Sequence, residues 1–288
     1  MRYRAGMTVA VVTDSTAYLP ADVAGAARLR VVPLTVTVSG RDGREGVDVT
    51  PADVAQALRE RRVTVTTSRP APAEFAQAYR ELLDHGASGI VSVHLSARLS
   101  GTYDSALLGA EEFGERVAVV DAASAGMAVG FVAMAAGEAA AGGADVAGVR
   151  AEAMAAAGRT STLFYVDTLE FLRRGGRISA ASALLGTALS VKPILHVMAG
   201  EVVLKEKVRT TGRALTRLVD LAVEAAGESD VDIGVQHLGA PERAEALRKS
   251  LMSRLGGRVR EAYLSEVGAA VAAHTGPGVI GVAVHRLA

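Results

Sequence analysis

Residues 89–102 read Gly-Ile-Val-Ser-Val-His-Leu-Ser-Ala-Arg-Leu-Ser-Gly-Thr, an apolar run followed at once by a hydroxyl-rich turn. Gly89–His94 has the length and β-branched content of a strand, and a helical pattern begins after the turn. A strand that ends in Ser and Thr ahead of a helix is the repeating unit of an α/β fold. The same unit opens the chain, where Val9–Thr13 runs into Thr13-Asp14-Ser15-Thr16. Further candidate strands are Val31–Val38, Val117–Val120, Leu163–Val166, Ile194–Met198, Val202–Lys205, Asp232–His237, Arg258–Leu264 and Val279–Val284. Several are continuous apolar runs, as expected in a sheet covered on both faces. Alternation of such strands with helices predicts an α/β fold with largely parallel sheets. A mixed sheet is an option in the second half, where Ile194–Met198 and Val202–Lys205 flank Ala199-Gly200-Glu201 at hairpin spacing.

Helix boundaries are written in the same residues. Thr50 is suited to cap a helix whose first position is Pro51, where the missing N–H costs nothing. Leu247, Leu251 and Leu255 mark one buried helix face, and Gly256-Gly257 stops it. Residues 122–157 are almost all Ala, Gly, Val and Met, which predicts a close-packed core helix; a ligand-tunnel wall around Ala125–Ala136 is the functional alternative. Gly158-Arg159-Thr160 offers a break, so two α/β domains are expected, residues 1–160 and 161–288. A chain of 288 residues is comfortable for two cores.

Composition excludes several classes. Half of the residues are hydrophobic and the formal net charge is +0, so there is no electrostatic case for nucleic acid. The absence of cysteine removes disulfides, thiolate metal sites and cysteine nucleophiles. Met1–Gly6 lead into a strand rather than the apolar stretch of a signal peptide. The longest uncharged apolar stretches, Ala122–Gly137 and Gly268–Val284, fall short of the ~20 residues that span a bilayer. The expectation is a soluble cytoplasmic protein without stable membrane insertion.

Common enzyme signatures are missing: no phosphate loop, no H-E-x-x-H, no G-x-S-x-G. A G-x-G-x-x-G at Gly276, Gly278 and Gly281 leads into a strand, whereas a dinucleotide site needs a helix there. What remains are three hydroxyl-rich turns: Thr13–Thr16, Thr66-Thr67-Ser68-Arg69-Pro70, and Ser96–Thr102. Ligands of open α/β sheets bind beyond the carboxyl ends of strands, where helix N-termini offer free N–H groups. Ser and Thr hydroxyls added there suit a carboxylate or a phosphate, although each turn taken singly also reads as an ordinary helix cap. Glu170–Ile178 reads as a helix end with a Gly175-Gly176 stop and basic residues, and His274 lies between a helix and the last strand.

In combination, Thr13-Asp14-Ser15, Thr67-Ser68-x-Pro70, Leu99-Ser100-Gly101-Thr102-Tyr103, Leu169-x-x-Leu172-x-x-Gly175-Gly176-Arg177-Ile178, Lys192-Pro193-Ile194 and His274-Thr275-Gly276-Pro277-Gly278 resemble the DegV family over nearly the whole chain. Each motif is weak alone; their order and spacing are specific. The resemblance implies two α/β domains with the ligand between them. It implies a long-chain fatty acid as bound ligand, no other cofactor and no metal. The carboxylate would be held by Thr67 and Ser100, with Ser68 and the Gly101 N–H as neighbours and Arg177 and His274 in support. Bacterial members of that family are carrier subunits for a fatty-acid kinase that makes acyl phosphate, so the implied partner is the kinase catalytic subunit and the chain itself is not an enzyme. Arg209 is the candidate for docking that kinase.

The sequence departs from the family pattern at Arg69, Ala71 and Asp104, where Gln, Ser and Asn are usual. Arg69 and Asp104 bring opposite charges to the site, and pairing between them is one expectation. Two rivals stand beside the carrier: a carrier of another small anionic ligand, and a hydrolase or transferase using Ser100 with His274 as its base.

Overall fold

The computed structural model describes residues 9–60, 64–178 and 191–288. The reading of the N-terminus rests partly on residues before Val9, which lie outside these. The chain begins with β1 (Val9–Asp14), α1 (Ala21–Ala26), β2 (Arg30–Val32), β3 (Thr35–Val38), β4 (Arg41–Arg44), α2 (Pro51–Arg59) and β5 (Val65–Ser68). There follow α3 (Pro72–Asp84), β6 (Gly89–His94), α4 (Thr102–Ala110), β7 (Val117–Asp121), α5 (Met127–Ala141) and α6 (Val146–Arg159). The remainder forms β8 (Thr160–Tyr165), α7 (Glu170–Arg174), β9 (Lys192–Met198), β10 (Glu201–Val208), α8 (Thr211–Ala226), β11 (Val231–His237), α9 (Pro241–Leu255), β12 (Val259–Glu266), α10 (Ala269–Thr275) and β13 (Ile280–Arg286).

Strands β2-β1-β6-β7 form a four-stranded sheet that is parallel throughout. Its register places Val11 opposite Val91 and Val93 opposite Val120, so the ends of β1, β6 and β7 share one edge. The second sheet has six strands in the order β10-β9-β8-β13-β11-β12. Here the parallel expectation applies only to β11 with β12; the other pairings are antiparallel. Continuous apolar runs report burial on both faces and carry no information about strand direction, and β11 is buried along its whole length. The β9–β10 hairpin does form, and it closes through Ala199 and Gly200, both at positive φ, as a two-residue turn requires.

A three-stranded antiparallel sheet, β4-β3-β5, was not foreseen. The predicted strand Val31–Val38 breaks at Pro33 into β2 and β3, which enter different sheets. Thr66–Ser68, read as a turn, lies in β5. This small sheet, with α2 and α10, packs on one face of the six-stranded sheet, burying Leu34, Val36 and Val54 with Leu195, Val279 and Ala272. Helices α8 and α9 cover the other face through Leu218, Leu221 and Leu251 on Ile233 and Val282.

The Ala-rich stretch, read as one core helix, resolves as two, α5 and most of α6, parted at residues 142–145, and the core helix is α5. It packs on β1 and β6 from one side and on β8, β11 and β13 from the other, which is why its sequence is apolar all round. Only its approach, at Ala125 and Gly126, borders the cavity described below. Residues 158–160 form no loop, since α6 runs to Arg159 and β8 starts at Thr160. Thr50 and Asp53 make a capping box at α2, with Pro51 behind it. Among the described residues no helix is long and apolar enough to cross a membrane.

Candidate functional site

Between the parallel sheet, the three-stranded sheet and the six-stranded sheet lies a cavity of about 110 Å³. Leu34, Leu95, Leu99, Phe164, Leu172 and Val197 give it an apolar interior. Thr67, Ser100, Arg177 and His274 line it as well. Thr67, Ser100 and Arg177 also line an adjoining outer pocket, which adds Ser68, Arg69 and Gly101. The tertiary structure therefore gathers Thr67, Ser68, Ser100, Gly101, Arg177 and His274 at one junction. The turn Thr13–Thr16 reaches the inner cavity through Thr16.

Each of these side chains is held by its element. Thr67 sits near the end of β5, and its Oγ1 lies 2.9 Å from His274 Nε2 in a hydrogen bond across the cavity wall. His274 ends α10, and its imidazole rests against Gly175, where any Cβ would collide with the ring. Ser100 is in the loop after β6, its Oγ 2.9 Å from Thr102 Oγ1. That loop is pinned to the β9–β10 hairpin by Ser96 Oγ, which donates to Gly200 O at 2.7 Å, and by the Arg98–Glu201 ion pair. Arg177 follows α7; its Nε donates to Leu99 O at 3.1 Å and its Nη1 to Gly175 O. Arg177 thus ties the Ser100 loop to the end of α7.

The electrostatics of the cavity pair the cation of Arg177 with a buried imidazole. Burial, and then the charge of Arg177, push the His274 imidazole down to about 4. It is neutral at ordinary pH, and its buried Nδ1 has no partner among the described residues. No hydrogen bond joins Ser100 to His274, whose Nε2 is taken by Thr67. The nucleophile–base contact that a serine hydrolase needs is absent from this geometry. Among the described residues no His, Asp and Glu cluster is arranged to hold a metal.

The neutral imidazole has a measurable consequence. An unfolded imidazole titrates near 6.5 and takes up a proton that the folded one refuses until about 4. The folded state therefore loses stability as pH falls from 7 toward 4. Between pH 7 and 4.5 the protein is expected to lose about 2–3 kcal/mol more than His274→Gln, measured by denaturant unfolding. Equal acid responses in the two proteins would show that His274 is not held neutral.

Several placements differ from expectation. Arg69 and Asp104 form no ion pair: the Arg69 side chain lies across Gly101, where a Cβ would strike its guanidinium, and Asp104 is exposed on α4. The cause is local, since Gly101 leaves the only space the long side chain needs. Arg209 is exposed between β10 and α8 and lines neither pocket. Sequence reasoning missed Thr162 and Gln236, which add polar atoms to the inner cavity. Gln236 lies within the predicted strand Asp232–His237 and Thr162 just before the predicted strand Leu163–Val166, and no local signal separates either from its neighbours. It also missed Glu45, a buried carboxylate that accepts from Ser15 Oγ, Tyr18 OH and Ala270 N. Burial pushes Glu45 up despite those donors. It clasps the small sheet to β1's turn and to α10.

Comparison with known proteins adds to this geometry. A family model described as an uncharacterised protein of the DegV family matches residues 8–286. A DegV domain-containing protein of Streptomyces coelicolor is 52% identical over 277 residues, covering 96% of this chain and 98% of that one. One from Mycobacterium tuberculosis is 41% identical over 279 residues, covering 96% and 97%. Among solved structures, a DegV family protein of Thermus thermophilus described for its fatty acid binding matches with a TM-score of 0.92 at 38% identity, over 98% of this chain and 100% of that one. DegV of Bacillus subtilis, described as a fatty acid binding protein, matches with a TM-score of 0.87 at 31% identity, over 98% and 100%.

Proposed function

The chain belongs to the DegV family, and from that premise we propose that it binds a long-chain fatty acid and presents the carboxylate to a separate fatty-acid kinase. The observation that carries this reading is a single apolar cavity that ends in hydroxyls and a cation. The acyl chain lies against Leu95, Leu99, Phe164 and Leu172, and the carboxylate is bound by Thr67, Ser68, Ser100 and the Gly101 N–H. Each buried methylene contributes about 0.8 kcal/mol, so a long chain gains on the order of 10 kcal/mol before association costs are subtracted. Two similar proteins described as fatty-acid-binding support the ligand class.

His274 and Arg177 act as positioning residues. In the tautomer with hydrogen on Nε2, His274 donates to Thr67 Oγ1 and frees the threonine O–H to donate to the carboxylate. Arg177 holds the Ser100 loop through Leu99 O and adds a positive charge beside the head group. Phosphoryl transfer belongs to the kinase, and Arg209, exposed after β10, is the candidate contact for it. A small polar anion would leave the apolar cavity unfilled, so the other-anion carrier fits less well.

The test is direct. Protein made in a bacterial host is denatured and its organic extract is weighed by mass spectrometry. About one equivalent of a C16 or C18 fatty acid is expected, and ATP with a partner kinase should convert it to acyl phosphate, more slowly for Arg209→Ala. An extract without lipid, together with no uptake of added fatty acid by the folded protein, would sink the carrier reading.

A further inference from the structure

The outer pocket carries more positive charge than a carboxylate neutralises. Arg69 and Arg177 both line it, and among the described residues no Asp or Glu does. Neither guanidinium makes an ion pair among the described residues. Arg177 spends its Nε and Nη1 on the carbonyls of Leu99 and Gly175, which fixes its plane. Arg69 is exposed, and its side chain lies across Gly101 at the N-cap of α4, which brings its guanidinium to the pocket's rim. The pocket has a volume of about 330 Å³, room for a tetrahedral group as well as a planar one. It also offers the hydroxyls of Thr67, Ser68 and Ser100.

We propose that this pocket selects a doubly charged, phosphate-type head on an alkyl or acyl chain over a carboxylate, with Arg69 as the specificity-determining residue. The proposal rests on the fatty-acid reading for the chain and goes beyond it for the head. A carboxylate brings one charge and two oxygens to two cations. A phosphate head brings two charges and three terminal oxygens, which matches two guanidinium forks and the neighbouring hydroxyls. Arg69 contributes little to a carboxylate already met by Thr67 and Ser100, so removing its charge changes the ratio of the two affinities more than either ligand's hold on the chain.

Delipidated full-length protein, Arg69→Gln and Arg69→Lys would be titrated with laurate, dodecyl phosphate and inorganic phosphate at about pH 8, where a phosphate monoester is fully ionised. The unaltered protein is expected to bind dodecyl phosphate about tenfold more tightly than laurate. That preference should fall about tenfold in Arg69→Gln and be largely kept in Arg69→Lys, and inorganic phosphate should bind far more weakly than dodecyl phosphate. The same preference in Arg69→Gln as in the unaltered protein would overturn the proposal. So would inorganic phosphate binding as tightly as dodecyl phosphate, which would mark a site for the free anion. Failure of laurate to bind the unaltered protein would instead bring down the fatty-acid reading itself.

Discussion

Replacing Thr67 and Ser100 together by alanine is expected to weaken fatty-acid binding by roughly 10²–10⁴-fold, because a hydrogen bond to a charged group is worth about 1.5–3 kcal/mol. The motive is the geometry at the junction of the two pockets. Both side chains line both spaces, with their hydroxyls set by hydrogen bonds to His274 and Thr102. Thr67→Ala also takes away the partner of His274 Nε2, which then has no means of orienting a donor. The fold should be unaffected, since Thr67 and Ser100 are only half-buried. Calorimetric titration of the delipidated double variant reads the effect. Affinity within threefold of the unaltered protein would place the head group elsewhere in the cavity.

The second large effect concerns stability rather than binding. Asp14→Ala is expected to cost about 3–5 kcal/mol, the range for removing one member of a buried charged network. Asp14 ends β1, fully buried, and accepts from Thr16 N at 3.0 Å, Thr16 Oγ1 at 2.6 Å and Leu95 N at 3.0 Å. Its Oδ2 also lies 3.0 Å from His94 Nδ1. From there the chain continues, with His94 Nε2 2.7 Å from Ser92 Oγ and Tyr79 OH donating to Ser92 at 2.8 Å. Truncation strands two backbone N–H groups and an imidazole in the core. Burial alone would raise the Asp14 carboxyl, but the bonds from His94, Thr16 and Leu95 outweigh it and hold its pKa below the ordinary value. A lowered carboxylate stabilises fully above its unfolded pKa and loses that contribution as pH falls through the folded one, so measurement at pH 7 reads the whole effect. The thermal midpoint should drop by about 10 °C. A loss under about 1 kcal/mol would show that the network is relaxed or water-satisfied.

These two variants separate what a triad-like pattern suggests from what it does. Ser92, His94 and Asp14 lie in line, yet all are fully buried and none lines the cavity. Their arrangement fixes the ends of β1 and β6, and through Thr16 and Leu95 it shapes the cavity wall.

Local order was open to the sequence. The strand Gly89–His94, the capping box at Thr50, the leucine face of α9 and the Gly175-Gly176 stop all depend on residues within a few positions of one another, and periodicity reports them. The hydroxyl turns Thr13–Thr16 and Ser96–Thr102 were legible for the same reason, while Thr67, read as part of a turn, reaches the cavity from β5. Strand direction in the six-stranded sheet was not legible, because an apolar run buried on both faces looks the same whichever way its neighbour runs. The three-stranded sheet was missed because β4 and β5 are short, polar and half-exposed. The site itself belongs to the tertiary structure. Thr67 and His274 are 207 positions apart, and they meet only because the small sheet and α10 bury their apolar sides together on the six-stranded sheet. Arg69 turns onto Gly101 rather than toward Asp104 because packing left a glycine-sized space there. Residue types and spacing named the groups able to hold an anion; the burial of distant apolar faces against each other decided which of them share a cavity.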